Sequence, residues 1–314
     1  MSRRAWLPAY LGLVAIWGCS FLLNELALRS FSAIDVAFGR ISLGALTLVV
    51  VLLALRQPVR VERSELVDLV IVAAILTAVP FALIAFAQTR VTSILAGLLN
   101  ATTPLWVAIF VAVLIPLERA TRQQGLGLLI GFVGIGVLLG IWDVESLDLV
   151  GVLAMLGATA CYGFGTAWMR WRLADSLLSG ASLSVVQLLI ATALLLPLLP
   201  VGGVPTQIRL DSVLALVALG ALGAGLAYVL FWRVVRTAGP TIAATVTYLI
   251  PLVSTSLGVL VLGEELTWNQ PVGGVVALVG VALAQGLVGA RRPSTTPAQP
   301  SREAPRLNGK PPTS

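Results

Sequence analysis

Gly263-Glu264-Glu265-Leu266-Thr267-Trp268-Asn269-Gln270, running on to Gly273 and Gly280, decides the fold because an earlier stretch has the same pattern. Leu117-Glu118-Arg119-Ala120-Thr121-Arg122-Gln123-Gln124 runs on to Gly127 and Gly134, and Glu, Thr, Gln and both glycines match at a single offset. Upstream of each stretch an apolar segment carries a proline near its middle, Pro104 and Pro251, one residue out of that register. Further back, Trp17-Gly18 and Tyr162-Gly163 take comparable places. The chain is therefore a duplication, and each copy closes on the same turn.

Each copy contains five apolar segments. Crossing roughly 30 Å of hydrocarbon takes about 20 residues of helix. Segments of that size lie near 6–28, 33–55, 66–88, 91–114 and 123–141, then near 149–170, 182–199, 211–232, 241–262 and 270–289. An odd number of crossings sends the second copy into the bilayer from the opposite side, which makes the repeat inverted. The expected fold is an all-α integral membrane protein with ten transmembrane helices. One five-helix repeat spans 5–141, the second spans 148–289, and 290–314 is a disordered tail rich in Pro, Ser and Thr.

Arginine placement sets the sidedness. Arg3, Arg4, Arg56, Arg60, Arg63, Arg119, Arg122, Arg170, Arg172, Arg233, Arg236 and the residues from Arg291 onward fall in every second gap, whereas the alternate gaps hold only Arg29, Arg90 and Arg209. Basic loops stay cytoplasmic. Both termini, tail included, are thus expected inside, in a bacterial inner membrane; Lys310 is the single lysine among 20 basic residues, a bias seen in GC-rich genomes.

Composition agrees. At 58% hydrophobic and 11% charged, with mean hydropathy +0.99, the chain has too few polar groups to cover a soluble core. Topology already accounts for the net charge of +6, so no nucleic-acid partner is inferred. Cys19 and Cys161 sit in apolar segments as small buried hydrophobes, and the chain has no histidine. No metal, cofactor or catalytic residue is expected. A signal peptide cleaved near Gly18-Cys19 is disfavoured because Trp17 is bulky and the apolar run continues past it.

The pattern resembles the drug/metabolite transporter superfamily, in particular proteins with two EamA-type domains. The resemblance is carried by Ile16-Trp17-Gly18-Cys19-Ser20-Phe21, by Phe38-Gly39-Arg40, and by the Pro, Glu, Gly order that closes each half. It covers the chain from about Ala5 to Gly289, with Leu117 and Pro116 departing from the second copy's pattern. It implies that the first four helices of each half surround a central cavity while the fifth lies outside. It also implies transport of small organic solutes, often amino acids or related metabolites, mostly outward.

Candidate residues divide by chemistry. Thr121 with Gln124 and Thr267 with Gln270 have the spacing of capping boxes, and Glu118 and Glu264 sit near the positive end of the same helices. These six are read as structural caps. Pro104 and Pro251 free the carbonyls of Asn100 and Thr247, which makes them candidate hinges or static kinks. Arg40 is a cation inside a span and needs a counter-charge: Glu25 across the hairpin is one candidate, a substrate carboxylate the other, and the nearby Glu25 favours the structural pairing. Trp17, Asn100, Tyr162 and Tyr248 fall near mid-depth and, with Gln88 and Gln187 lower in rank, complete the candidate substrate-binding set. The glycine pairs Gly127/Gly131 and Gly136/Gly140 allow close helix approach.

The leading expectation is a secondary transporter that exports amino acids or related metabolites by alternating access. Its partners are the lipid bilayer and a small-molecule solute, and a monomer is sufficient. The competing expectations are a membrane-embedded lipid-processing enzyme and a non-transporting membrane partner protein.

Overall fold

The computed structural model describes residues 6–57, 59, 61–115, 121–143, 147–174, 176, 178–205 and 207–286. Glu118, the arginines at 3, 4, 60, 119 and from 291 onward, and the expected tail at 290–314 lie outside the described residues. The described chain contains no strand. Among the described residues nine helices are long and apolar enough to cross a membrane: α1 Leu7–Leu28, α2 Ala33–Ala54, α3 Arg63–Gln88, α4 Ser93–Leu114, α5 Arg122–Leu139, α6 Leu149–Arg172, α7 Gly180–Gly202, α8 Leu210–Ala238 and α9 Ile242–Leu262. The tenth, α10 Asn269–Ala284, is apolar but has 16 residues, roughly 24 Å at the helical rise.

That tenth helix stops short of residue 289 because Gly286 turns left-handed at φ +68. Gly140 ends α5 in the same way at φ +64, at the matching position of the first repeat. A glycine with no Cβ adopts this conformation without steric cost and closes the helix. Gly140 is therefore a terminator, and the expected packing pair Gly136/Gly140 does not form.

The closest helix approach joins α5 to α10. A Cβ on Gly127 would lie 2.3 Å from the Ala284 nitrogen, and one on Gly273 would lie 2.1 Å from that of Leu138. A Cβ on Gly134 would lie 2.3 Å from the Ala277 nitrogen, and one on Gly280 would lie 2.3 Å from that of Gly131. Within each pair the second contact is the first with the repeats exchanged. Only a two-fold relation between the copies gives this pattern, so the backbones meet about an axis lying between them. The same exchange links α1 against α9 with α6 against α4: a Cβ on Gly18 would sit 2.4 Å from Val253 Cβ, and one on Gly163 would sit 2.4 Å from Trp106 Cβ.

Two wide turns also match. α3 passes through a π-helical segment at Ala74–Ala78 and α8 through one at Leu219–Leu226, each packed against the second helix of the other repeat. The π turn in α8 is rich in glycine, which lets Gly44 and Thr47 of α2 press onto it.

The prolines do not behave alike. α4 breaks at Ala101–Thr102 and restarts with Pro104 in its first turn, and the freed Asn100 carbonyl accepts the Thr103 hydroxyl at 2.8 Å. Pro251 lies inside a continuous helix, and the break in α9 falls six residues earlier, at Thr245. The expected symmetry of the two proline sites is thus only partial.

The caps are also unequal. Thr121 and Gln124 form the full reciprocal box at the start of α5. At α10 only the Gln270 side chain accepts, from the Thr267 nitrogen at 3.3 Å, while the Gln270 nitrogen bonds the Thr267 carbonyl instead. Glu264 does not serve α10. It reaches across to α4, where its two oxygens accept from Ser93 N at 2.8 Å and Ile94 N at 2.9 Å. The turn after α9 ends on left-handed Gly263, which swings this carboxyl away from the helix that follows it in sequence.

At the start of α6, Asp148 accepts from Gly151 N at 2.9 Å and from the Arg90 guanidinium at 3.1 Å. The backbone bond first, then Arg90, holds this carboxyl below the usual Asp range. A lowered value stabilises the fold above the ordinary Asp pKa of about 3.9 and stops doing so as pH falls through the folded-state value. Asp148→Ala is thus expected to lower the melting temperature in detergent at neutral pH, with the gap to wild type narrowing as pH falls below the ordinary Asp value. A gap of constant size across that range would contradict it.

Candidate functional site

A cavity of about 290 Å³ lies between the repeats, lined from α1, α2, α3, α4, α6, α8 and α9. None of its lining residues comes from α5 or α10, whose small faces are spent on one another. Its walls come from matched positions. Trp17 and Tyr162, and Phe21 and Thr166, are each 145 residues apart. Phe81 and Tyr228, Ile84 and Phe231, Asn100 and Thr247, and Thr103 and Ile250 are each 147 apart. Duplication thus placed the same helix faces around the cavity twice.

Its aromatic lining is held in place. Trp17 Nε1 donates to the Gly223 carbonyl, inside the π turn of α8, at 3.2 Å, and its ring lies 5.8 Å from that of Phe231. Phe81 meets Tyr162 edge-on at 6.4 Å. The small polar groups are turned inward on their own helices: Ser20 donates to Ile16 O, Thr166 to Tyr162 O and Thr247 to Ala244 O.

Arg40 enters from α2, roughly 10 Å along the helix from its start. It is 8% exposed, and its guanidinium carbon stands 4.0 Å over the centre of the Phe81 ring. Its Nε is enclosed without a hydrogen-bond partner. Among the described residues no carboxylate forms an ion pair with it, so the expected bridge to Glu25 is absent. Glu25 has Glu264 and Arg29 as its charged neighbours instead. The rotation of α2 explains the difference, since it turns Arg40 toward α3 and the cavity rather than back along the hairpin. A cation at bilayer depth costs about 3 kcal/mol on insertion scales, and a desolvated ring face returns about 2 kcal/mol.

Of the sequence candidates, the fold brings Trp17, Arg40, Asn100 and Tyr162 together and sends three elsewhere. Tyr248 bonds its hydroxyl to Gln285 at the end of α10. Gln187 donates to Thr77 in the π turn of α3 at 2.6 Å. Gln88 is buried, receiving Asn24 Nδ2 at 2.9 Å and donating to the Phe21 carbonyl at 2.9 Å. Reading from sequence missed Phe81, Tyr228, Phe231, Thr103, Thr166 and Thr247 in the lining. The repeat register would have exposed several, because Thr247 is the counterpart of Asn100.

The two ends of the cavity differ. Call the end where α1 begins the near end. At the far end, the Asn24, Gln88 and Phe21 bonds join α1 to α3, and Glu264 ties the turn after α9 to the start of α4. Toward the near end the lining continues through Phe231 to Ala243 and the exposed Ala244 at the start of α9.

The chain is similar to known proteins along most of its length. The chain is 25% identical over 291 residues to "Uncharacterized transporter YvbV" of Bacillus subtilis (strain 168), covering 90% of this chain and 91% of that protein. A protein of known crystal structure shares the fold at a TM-score of 0.62 and 21% identity, over 91% of this chain and all of the other. Residues 4–140 and 149–285 each match the EamA-like transporter family, and with two such repeats facing one cavity the chain belongs to that family.

Proposed function

We propose that this chain is a secondary transporter that moves small organic solutes, amino acids or related metabolites, outward across a bacterial inner membrane by alternating access. The carrying observation is the cavity between the two repeats, bounded at the far end by the bonds of Asn24, Gln88 and Glu264 and lined toward the near end as far as the exposed Ala244. The arginine-rich flanks support a cytoplasmic near end, and on that reading the described state loads from inside. Because the walls are repeated, exchanging the conformations of the two repeats yields the opposite opening without any new fold. The solute-binding roles of Trp17, Arg40, Asn100 and Tyr162 rest on their shared position in the lining.

Purified protein in vesicles, with tagged termini reporting its orientation, should give saturable flux of at least one labelled solute from a panel of amino acids and their hydroxy- and keto-acid relatives. Tyr162→Ala should lower that flux about tenfold, equivalent to roughly 1.4 kcal/mol of lost interaction. Flux no greater than in protein-free vesicles for the whole panel would end the transporter reading.

A further inference from the structure

Resting on the transporter reading, we propose that the cavity is selective for organic monoanions. It takes an amphipathic carboxylate whose charged group pairs with Arg40 and whose apolar body lies among Trp17, Phe81, Tyr162 and Tyr228, and it rejects the same body carrying an ammonium group.

The argument begins with what Arg40 lacks. Buried charges in folded proteins are paired, yet this guanidinium is nine-tenths buried with a benzene ring on one face, an unbonded Nε and no carboxylate within 4 Å among the described residues. The lining contains neither aspartate nor glutamate. The cavity therefore carries one uncompensated positive charge, and a negative group brought in by the solute supplies its missing partner.

Duplication sharpens the case. The position equivalent to Arg40 in the second repeat is Gln187, which points away and is satisfied by Thr77. A cavity with twofold-related walls thus carries a charge on one side only, matched to one carboxylate rather than two. Four hydroxyls of the lining, Ser20, Thr103, Thr166 and Thr247, already give their protons to backbone carbonyls. Arg40 is the cation of the lining left with unmet capacity, and the Tyr162 and Tyr228 hydroxyls beside it are neutral donors.

An α-amino acid fits less well. Its ammonium lies two bonds from its carboxylate, so docking the carboxylate on Arg40 brings two positive charges close together in a low dielectric, with no acidic side chain to separate them. An amino acid relative with a hydroxyl or keto oxygen in place of the ammonium keeps the attraction and avoids the repulsion.

The test uses three probes with one body: phenyllactate as the anion, phenylalanine as the zwitterion and phenethylamine as the cation. Binding to the full-length wild-type protein in detergent is measured by calorimetry and by the fluorescence of the tryptophans. Phenyllactate should bind at least about tenfold more tightly than either of the others. Arg40→Gln should abolish that preference, and Arg40→Lys should restore part of it. The wild-type ranking stands even if Arg40→Gln fails to fold. Equal or tighter binding of phenylalanine or phenethylamine, no binding of any of the three, or an unchanged preference in a folded Arg40→Gln protein would overturn the proposal. If vesicles carry some other solute while this ranking fails, anion selectivity falls and the transporter reading stands. If the whole panel fails to move, both fall.

Discussion

Gly273→Ala is expected to destabilise the folded protein by about 3 kcal/mol, the upper part of the range for overpacking a filled interface. The new Cβ would lie 2.1 Å from the Leu138 nitrogen and 2.4 Å from its Cα, so no side chain can swing aside and the helices themselves must separate. Separation would disturb three more contacts of the same kind, because Gly127, Gly134 and Gly280 share the seam. Gly125→Ala serves as the control: its Cβ would meet nothing within 4 Å, and alanine favours helix over glycine by roughly 1 kcal/mol. Thermal unfolding in detergent should therefore move the two variants in opposite directions. Gly127→Ala should match Gly273→Ala, since the two contacts exchange under the repeat. Equal stability of Gly273→Ala and Gly125→Ala would mean that α5 and α10 do not meet in this way.

The second large effect is expected at Glu264. Glu264→Ala removes the acceptor for Ser93 N and Ile94 N, whose residues are 1% and 0% exposed. Leaving two buried donors unsatisfied should cost about 2–4 kcal/mol. Glu264→Gln should fall between, because an amide offers one acceptor oxygen where the carboxyl offers two. Gly258→Ala should cause a related loss, since its Cβ would lie 2.5 Å from Ile94 Cγ1 and 2.8 Å from the Glu264 carboxyl. Amide exchange at Ser93 and Ile94 gives a local readout: protection should drop in Glu264→Ala. Unchanged protection and stability would mean the contact contributes nothing to holding the far end.

These two sites show where reading the sequence succeeded and where it failed. Gly127, Gly134, Gly273 and Gly280 were visible as a repeated pattern, and the pattern is the interface. Glu264 was visible as a repeated acid, yet its assignment to the nearest helix was wrong, because a left-handed turn at Gly263 redirects it to a helix 170 residues away. Arg40 and Glu25 failed in the same manner. Proximity in sequence stood in for proximity in space, and the rotation of α2 decided otherwise. Tyr248 has the right depth and points to Gln285.

The sequence alone determined the number of crossings, their alternation and the inverted duplication. Hydrocarbon enforces these directly: it demands about 20 apolar residues per helix, penalises arginine on the wrong side, and leaves an odd-numbered repeat no choice but to invert. Only the tertiary structure decided which face of each helix turns inward. A soluble helix shows that face as an apolar stripe, but in a bilayer the lipid and the neighbouring helix are equally apolar, so the pattern carries no such mark. Rotation is set instead by where backbones can approach, at Gly18 against Val253 or Gly134 against Ala277, and by bonds such as Trp17 to the Gly223 carbonyl. Those contacts form only once all the helices are in place, and they gather Trp17, Arg40, Asn100 and Tyr162 around one cavity.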